Sequence, residues 1–243
     1  MPAATCDSRL ALLARRARSR IAIGLQEAGN ISATLHYIHD PLCGWCYAAE
    51  PLVKAAAEVP GLALKLHGGG LWPEPTRLPE DMRNYIRDAD ERAAKLSGQP
   101  YGEAYLSGLL LDPTLTLESR PTTAAVLAVE SIDPSKGLAM LTGIQHAHWE
   151  HGLKVVEREV LRRIAGEIGL DRAAFETALD AVDADAHIAS TRRIMQQIGA
   201  GGFPAFVLEI DGQWSAVPNR QFASDPRGFA SWLGRMLGEH AAA

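Results

Sequence analysis

The pair Cys43 and Cys46, held in Cys43-Gly44-Trp45-Cys46, constrains this chain more than any other feature. The residues before it, Ser32 to His39, alternate as a strand with Ala33, Leu35 and Tyr37 on one face, and Asp40-Pro41 stops that strand. The residues after it, Tyr47 to Glu58, read as helix, with Pro51 kinking it or beginning its regular part. A C-x-x-C pair between a strand and a helix start is a redox signature. Unpaired N–H groups and the positive end of the helix dipole gather there, and both favour a thiolate at Cys43. Cys46 follows nearly one helical turn later, placed to form an intramolecular disulfide or to resolve a mixed one. Cys43 is expected to be the exposed attacker and Cys46 the more buried resolver.

The rest of the chain supplies a frame for that pair. Pro60-Gly61 turns into a second alternating segment, Leu62 to His67, which runs into Gly68-Gly69-Gly70. A crossover helix between the two strands makes them parallel. Leu78 to Gln197 then reads as helix after helix: Glu80 to Leu96, Pro121 to Glu130, Pro134 to Trp149, Glu157 to Ile168, Arg172 to Val182 and Asp185 to Ile198. No strand is expected in this block. Strand signals return at Ala205 to Ile210 and Gln213 to Val217, joined by the hairpin dipeptide Asp211-Gly212, and Pro226 to Leu237 closes the chain as an amphipathic helix. The order β-α-β, helical block, β-β-α describes an α/β, thioredoxin-like fold with a large all-helical insertion. The implied organisation is a basic tail over 1–31, a thioredoxin-like domain from 32–77 and 198–243, and a helical insertion over 78–197.

Composition narrows the function class. With 243 residues, 47% hydrophobic and 22% charged, the chain has the makeup of a soluble globular protein. A net charge of -5 argues against a nucleic-acid partner, and no run of about 18 apolar residues is available to cross a membrane. In the first thirty residues Arg9, Arg15, Arg16, Arg18 and Arg20 interrupt the apolar positions, so no secretory signal run forms. The third cysteine, Cys6, lies in this tail. Three cysteines are too few for a secreted disulfide framework and suit a reducing compartment, so the expected location is the cytoplasm.

Metal is the competing use of a close cysteine pair. His36 and His39 lie an odd number of residues apart on a strand and so face opposite sides, and no second Cys or His pair has zinc spacing. Neither a metal nor a cofactor is expected. Among His146, His148 and His151, the last two are read as helical neighbours, exposed or half-buried. Gly68 to Pro73 lacks the spacing of a phosphate loop and reads as a close-packed turn beside the thiols, with Trp72 lining a groove. Trp149, Trp214 and Trp232 are expected in the core, while Trp45 and Tyr47 are candidates for substrate-facing surface.

Asp40 to Tyr47 resembles the active-site segment of the DsbA-like family, particularly its FrnE-type soluble members. Gly202-Phe203-Pro204-Ala205-Phe206 is similar to that family's cis-proline loop, and Leu161 to Asp171 to part of its helical insertion. The resemblance covers the chain from about residue 32 onward. It implies thiol–disulfide exchange at Cys43 and Cys46, a cis Phe203–Pro204 peptide beside them, and a substrate strand pairing with that loop. Trp45, Phe203 and Pro204 are the implied substrate-binding residues. Partners are protein or small-molecule thiols and disulfides, with glutathione a candidate co-substrate. Gly44-Trp45 differs from the dipeptides of strongly oxidising members and of thioredoxin, so it leaves open which way electrons run. Two other readings share the architecture. One is a glutathione-dependent transferase or isomerase of the kappa-class or hydroxychromene carboxylate isomerase type, which typically carries serine in place of the first thiol. The other is a chaperone-like binding module without catalysis.

Overall fold

The computed structural model describes residues 32–241, so the basic tail and Cys6 lie outside the described residues. Strand β1 (Ala33–His39) leads into helix α1 (Gly44–Ala48), helix α2 (Glu50–Ala57) and strand β2 (Leu62–Gly68). β1 and β2 pair in parallel, as the crossover requires, from Ala33 opposite Leu62 to His39 opposite Gly68. After the helical segment, β5 (Ala205–Ile210) pairs antiparallel with β1, and β6 (Gln213–Ala216) pairs with β5. The sheet order is β2-β1-β5-β6, with β1 central. Asp211 and Gly212 make the β5–β6 turn with φ of 49° and 81°, the left-handed conformations a two-residue hairpin demands.

The helical segment contains α3 (Glu80–Ser97), α4 (Ser119–Ile132), α5 (Gly137–Trp149), α6 (Arg158–Glu167), α7 (Arg172–Ala181) and α8 (Ala184–Gln197). Asp171 and Asp183 cap α7 and α8 by accepting the backbone N–H groups of Ala174 and Ala186. One strand is present in this block as well: β4 (Thr116–Leu117), which pairs with β3 (Thr76–Arg77), just ahead of the block, in a two-residue antiparallel ribbon. A stretch so short carries no readable alternation, which is why its sequence gives no strand signal. The helix expected over Tyr47 to Glu58 is two helices divided at Ala49, with Pro51 inside the first turn of α2.

The core is continuous from the sheet into the helical segment. Leu35, Tyr37, Phe206 and Leu208 on one face of the sheet meet α2 and the closing helix α9 (Pro226–Ala241), while Trp149, Met140, Ile144 and Phe175 fill the helical side. Phe229 of α9 is fully buried and sits edge-on to Phe206, with ring centroids 5.8 Å apart, and 5.6 Å from Phe222. Trp214 departs from its expected core place. It lies exposed on edge strand β6, stacked on His36 at 4.3 Å. Replacing Phe229 with Ala should lower unfolding stability by about 3–5 kcal/mol, the scale for a buried aromatic, measured by denaturant titration.

Candidate active site

Cys43 sits at the N-cap of α1 in extended conformation, so the helix begins at the residue after it. Its carbonyl accepts from the N–H groups of Cys46 at 2.9 Å and Tyr47 at 3.0 Å, which fixes the turn between the two sulfurs. Both cysteines are free thiols. Their surroundings differ. Cys46 has no exposed surface, and the backbone N–H of Asp40 approaches its sulfur at 3.5 Å. Burial pushes the Cys46 thiol up, and the hydrogen bond from Cys43 and the charge of that residue add to the effect. Cys43, expected to be exposed, is buried as well at 6% exposure, because Trp72 and Phe203 line the groove through which it is reached.

That groove is a cavity of about 380 Å³ in which Cys43 meets Trp45, Leu71, Trp72, Tyr85 and Phe203. A second cavity of about 430 Å³ lies along Trp45, Leu52, Leu96, Phe203, Pro204 and Arg220. Trp45, 38% exposed, and Phe203 line both. The Phe203–Pro204 peptide is cis. The Phe203 carbonyl faces the Cys43 sulfur at 3.9 Å. The five residues singled out from the sequence, Cys43, Trp45, Cys46, Phe203 and Pro204, are therefore assembled in one place from opposite ends of the chain.

Three loops are fastened together to achieve this. The buried Asp40 carboxylate accepts from Leu42 N–H at 2.8 Å and from Leu71 N–H at 2.7 Å, tying the cysteine loop to the glycine-rich loop after β2. Burial raises the Asp40 carboxyl, while those donors, Ser119 and the charge of Arg192 pull the other way. Gly69 lets the third loop approach: a Cβ there would stand 2.2 Å from the Phe203 ring. Arg192 lies over the opposite side, 5.1 Å from the ring centroid, and donates to the Gly70 carbonyl at 2.6 Å. Asp40 and Arg192 carry no sequence signal as site residues. Asp40-Pro41 reads only as a strand stop.

Tyr47 is not substrate-facing. It is buried, its ring stacks on Trp149 at 5.2 Å, and its hydroxyl bonds Pro100 carbonyl and Glu150. Beneath it, His146 turns one ring nitrogen to Glu50 at 2.9 Å and the other to Glu150 at 2.6 Å, an arrangement that suits the doubly protonated imidazolium. The hydrogen bond to Glu50 raises His146 above its ordinary value despite burial. Burial pushes the Glu50 carboxyl up, yet His146 and Lys54 outweigh it and leave the group lowered. His148, expected exposed or half-buried, is buried and driven down to about 4 by desolvation, so it is neutral. It and His151 are not helical neighbours, because α5 ends at Trp149.

Residues 34–225 match the model of the DsbA-like thioredoxin domain. The chain is similar to the cytosolic disulfide reductase DsbM from Pseudomonas aeruginosa, with 43% identity over 84% of this chain and 98% of that one, at a TM-score of 0.78. The same protein with GSH gives 40% identity over 84% and 99%, at 0.77. A hydroxychromene carboxylate isomerase is 16% identical over 86% and 98%, at 0.58, a likeness of fold alone. No curated protein sequence matches.

The ion pair between Glu50 and His146 has a defined pH window. A raised histidine stabilises the fold below its unfolded value of 6.5 and loses that contribution as pH rises through its folded value. A lowered carboxyl stabilises above its unfolded value of 4.5 and loses that contribution as pH falls. His146→Ala should thus cost about 1 kcal/mol more near pH 6 than near pH 9, read from urea midpoints at the two values. Equal losses at both would contradict the pairing. The fold, the thiol pair and these relatives lead to one conclusion: the chain belongs to the DsbA-like thioredoxin-domain family and is a thiol–disulfide oxidoreductase.

Proposed function

We propose that the protein is a cytoplasmic disulfide reductase in which Cys43 is the nucleophile and Cys46 the resolving thiol. The asymmetry of the pair carries this reading: Cys43 opens on a groove, while Cys46 is enclosed and held protonated. In the first step the Cys43 thiolate attacks one sulfur of a substrate disulfide. A bond to Cys43 forms, the substrate S–S bond breaks, and its second sulfur leaves with the electron pair. Cys46 then gives up its proton and attacks the Cys43 sulfur, releasing the other substrate thiol and leaving a Cys43–Cys46 disulfide. Two glutathione molecules return that disulfide to the dithiol and leave as oxidised glutathione. The cysteines carry both electrons, so the cycle calls for no separate cofactor.

Trp45 and Phe203 present apolar surface on both sides of the thiol, which suits extended substrate segments with apolar side chains beside the disulfide. The reducing direction and the glutathione partner draw support from the likeness to DsbM, described as a cytosolic disulfide reductase and solved with GSH. The shortage of cysteines also fits a reducing compartment.

A redox titration of the pair against glutathione should give a potential less negative than that couple, so that excess glutathione holds the pair as a dithiol, alongside glutathione-driven reduction of insulin. Cys43→Ala should abolish turnover, and Cys46→Ser should stop at a mixed disulfide visible by intact mass. A pair that excess glutathione leaves oxidised would overturn the glutathione-driven reducing cycle. Full activity of Cys43→Ala would overturn the assignment of the nucleophile.

A further inference from the structure

One buried acid in the groove has no part in the exchange described so far. Asp90, on α3, is buried, and its Oδ2 accepts the Tyr105 hydroxyl at 2.6 Å. Its Oδ1 is pressed against Gly44, the residue after the nucleophile: a Cβ on Gly44 would stand 2.1 Å from it. The Tyr101 hydroxyl donates to the Gly44 carbonyl at 2.8 Å and completes the wall. Asp90 and Cys43 line the same cavity. The absence of a side chain at position 44 is what admits the carboxyl to this place. Among the described residues no cation forms an ion pair with it, so burial dominates and raises it to about 6, against the pull of Tyr105 and Trp149. A buried acid without a cation costs stability, and such groups recur where a proton must be supplied.

The first step of the proposed cycle has such a requirement. An alkyl thiolate expelled into an apolar groove is a poor leaving group unless it is protonated. We propose that Asp90 is the proton donor to the sulfur that leaves when Cys43 opens a substrate disulfide. The inference rests on the assignment of Cys43 as nucleophile. As the Cys43–sulfur bond forms and the substrate S–S bond breaks, the Asp90 carboxyl proton passes to the departing sulfur. The products are a neutral thiol and the Asp90 carboxylate, which regains a proton from solvent once the groove empties. The other polar groups around the cavity leave this role to Asp90. His148 is neutral at its lowered value of about 4, Arg192 is engaged with Gly70 and Phe203, and burial first, with the charge of Asp90 next, holds the Tyr101 and Tyr105 hydroxyls protonated.

The test uses the full chain carrying Cys46→Ser, which stops at the mixed disulfide, with and without Asp90→Asn. The asparagine keeps an oxygen for Tyr105 but has no acidic proton. Two disulfides are compared: an aryl one, dithiobisnitrobenzoate, whose thiolate leaves unprotonated, and oxidised glutathione, whose alkyl thiolate does not. Asp90→Asn should slow oxidised glutathione roughly 10²-fold and leave the aryl rate within about twofold. The ratio of the alkyl to the aryl rate cancels the ionisation of Cys43 itself. It should fall as pH rises through about 6 in the parent and stay flat in the variant. Tyr105→Phe supplies a second reading should the asparagine variant fail to fold. Removing that donor raises Asp90 further, so the fall of the ratio should move to higher pH. Equal slowing of both disulfides, slowing of neither, or an unmoved midpoint in Tyr105→Phe overturns the proposal. A parent that forms no mixed disulfide with either compound instead overturns the nucleophile assignment, a distinguishable result.

Discussion

The Asp40 carboxylate is the tie on which the thiol site depends. A carboxylate without solvent is tolerated only where hydrogen-bond donors replace the water, and here two backbone N–H groups from different loops do so. One belongs to the loop that presents Cys43 and the other to the loop that follows β2. Because both loops leave the carboxyl ends of parallel neighbouring strands, they emerge side by side, and a single residue can hold both. The backbone N–H of Asp40 also approaches the Cys46 sulfur, so the same residue positions the enclosed thiol.

Once those loops are fixed, the third follows by packing. β5 lies against the other side of β1, which delivers Phe203 and Pro204 to the end of the sheet where the thiols are. Phe203 fits between Gly69 and Arg192, and its carbonyl is left facing Cys43. The helical segment acts on the opposite side of the motif. Tyr47, Trp149 and His146 anchor the back of α1, while Asp90 and Tyr101 cover Gly44. The two parts of the fold divide the work: the sheet supplies the sulfurs and the proline loop, and the helices supply their walls.

Much of this frame is legible in the residues. Alternation over Ser32 to His39 and Leu62 to His67 marks two strands, and the Asp211-Gly212 turn marks a hairpin, because both signals are local. The six long helices of the segment announce themselves by period and boundary residues. What fails is informative. The β3–β4 ribbon is too short to have a period. The break at Ala49, by contrast, is announced by Pro51, which begins the regular part of the helix. Trp214 is apolar enough for a core position, but edge strand β6 has no layer over it, and stacking on His36 takes the place of burial. Tyr47 and Trp45 look alike beside the thiols. Helical periodicity turns one into the core against Trp149 and leaves the other on the groove.

The sequence by itself pointed to Cys43 and Cys46 as a redox pair, since a thiol pair at this spacing between a strand and a helix has few other uses. It also determined the order of elements that makes the fold thioredoxin-like with a helical insertion. Only the tertiary structure decided that Cys43 lies at the wall of a groove while Cys46 is fully enclosed, because burial is a property of what packs above a residue and not of the residue. The same holds for Asp40, Asp90 and Arg192, which gain their roles from partners distant in the chain. A carboxylate in a sequence is ordinarily a solvated surface group; here the folded surroundings decide that one becomes a clamp and another a buried acid on the cavity that Cys43 lines.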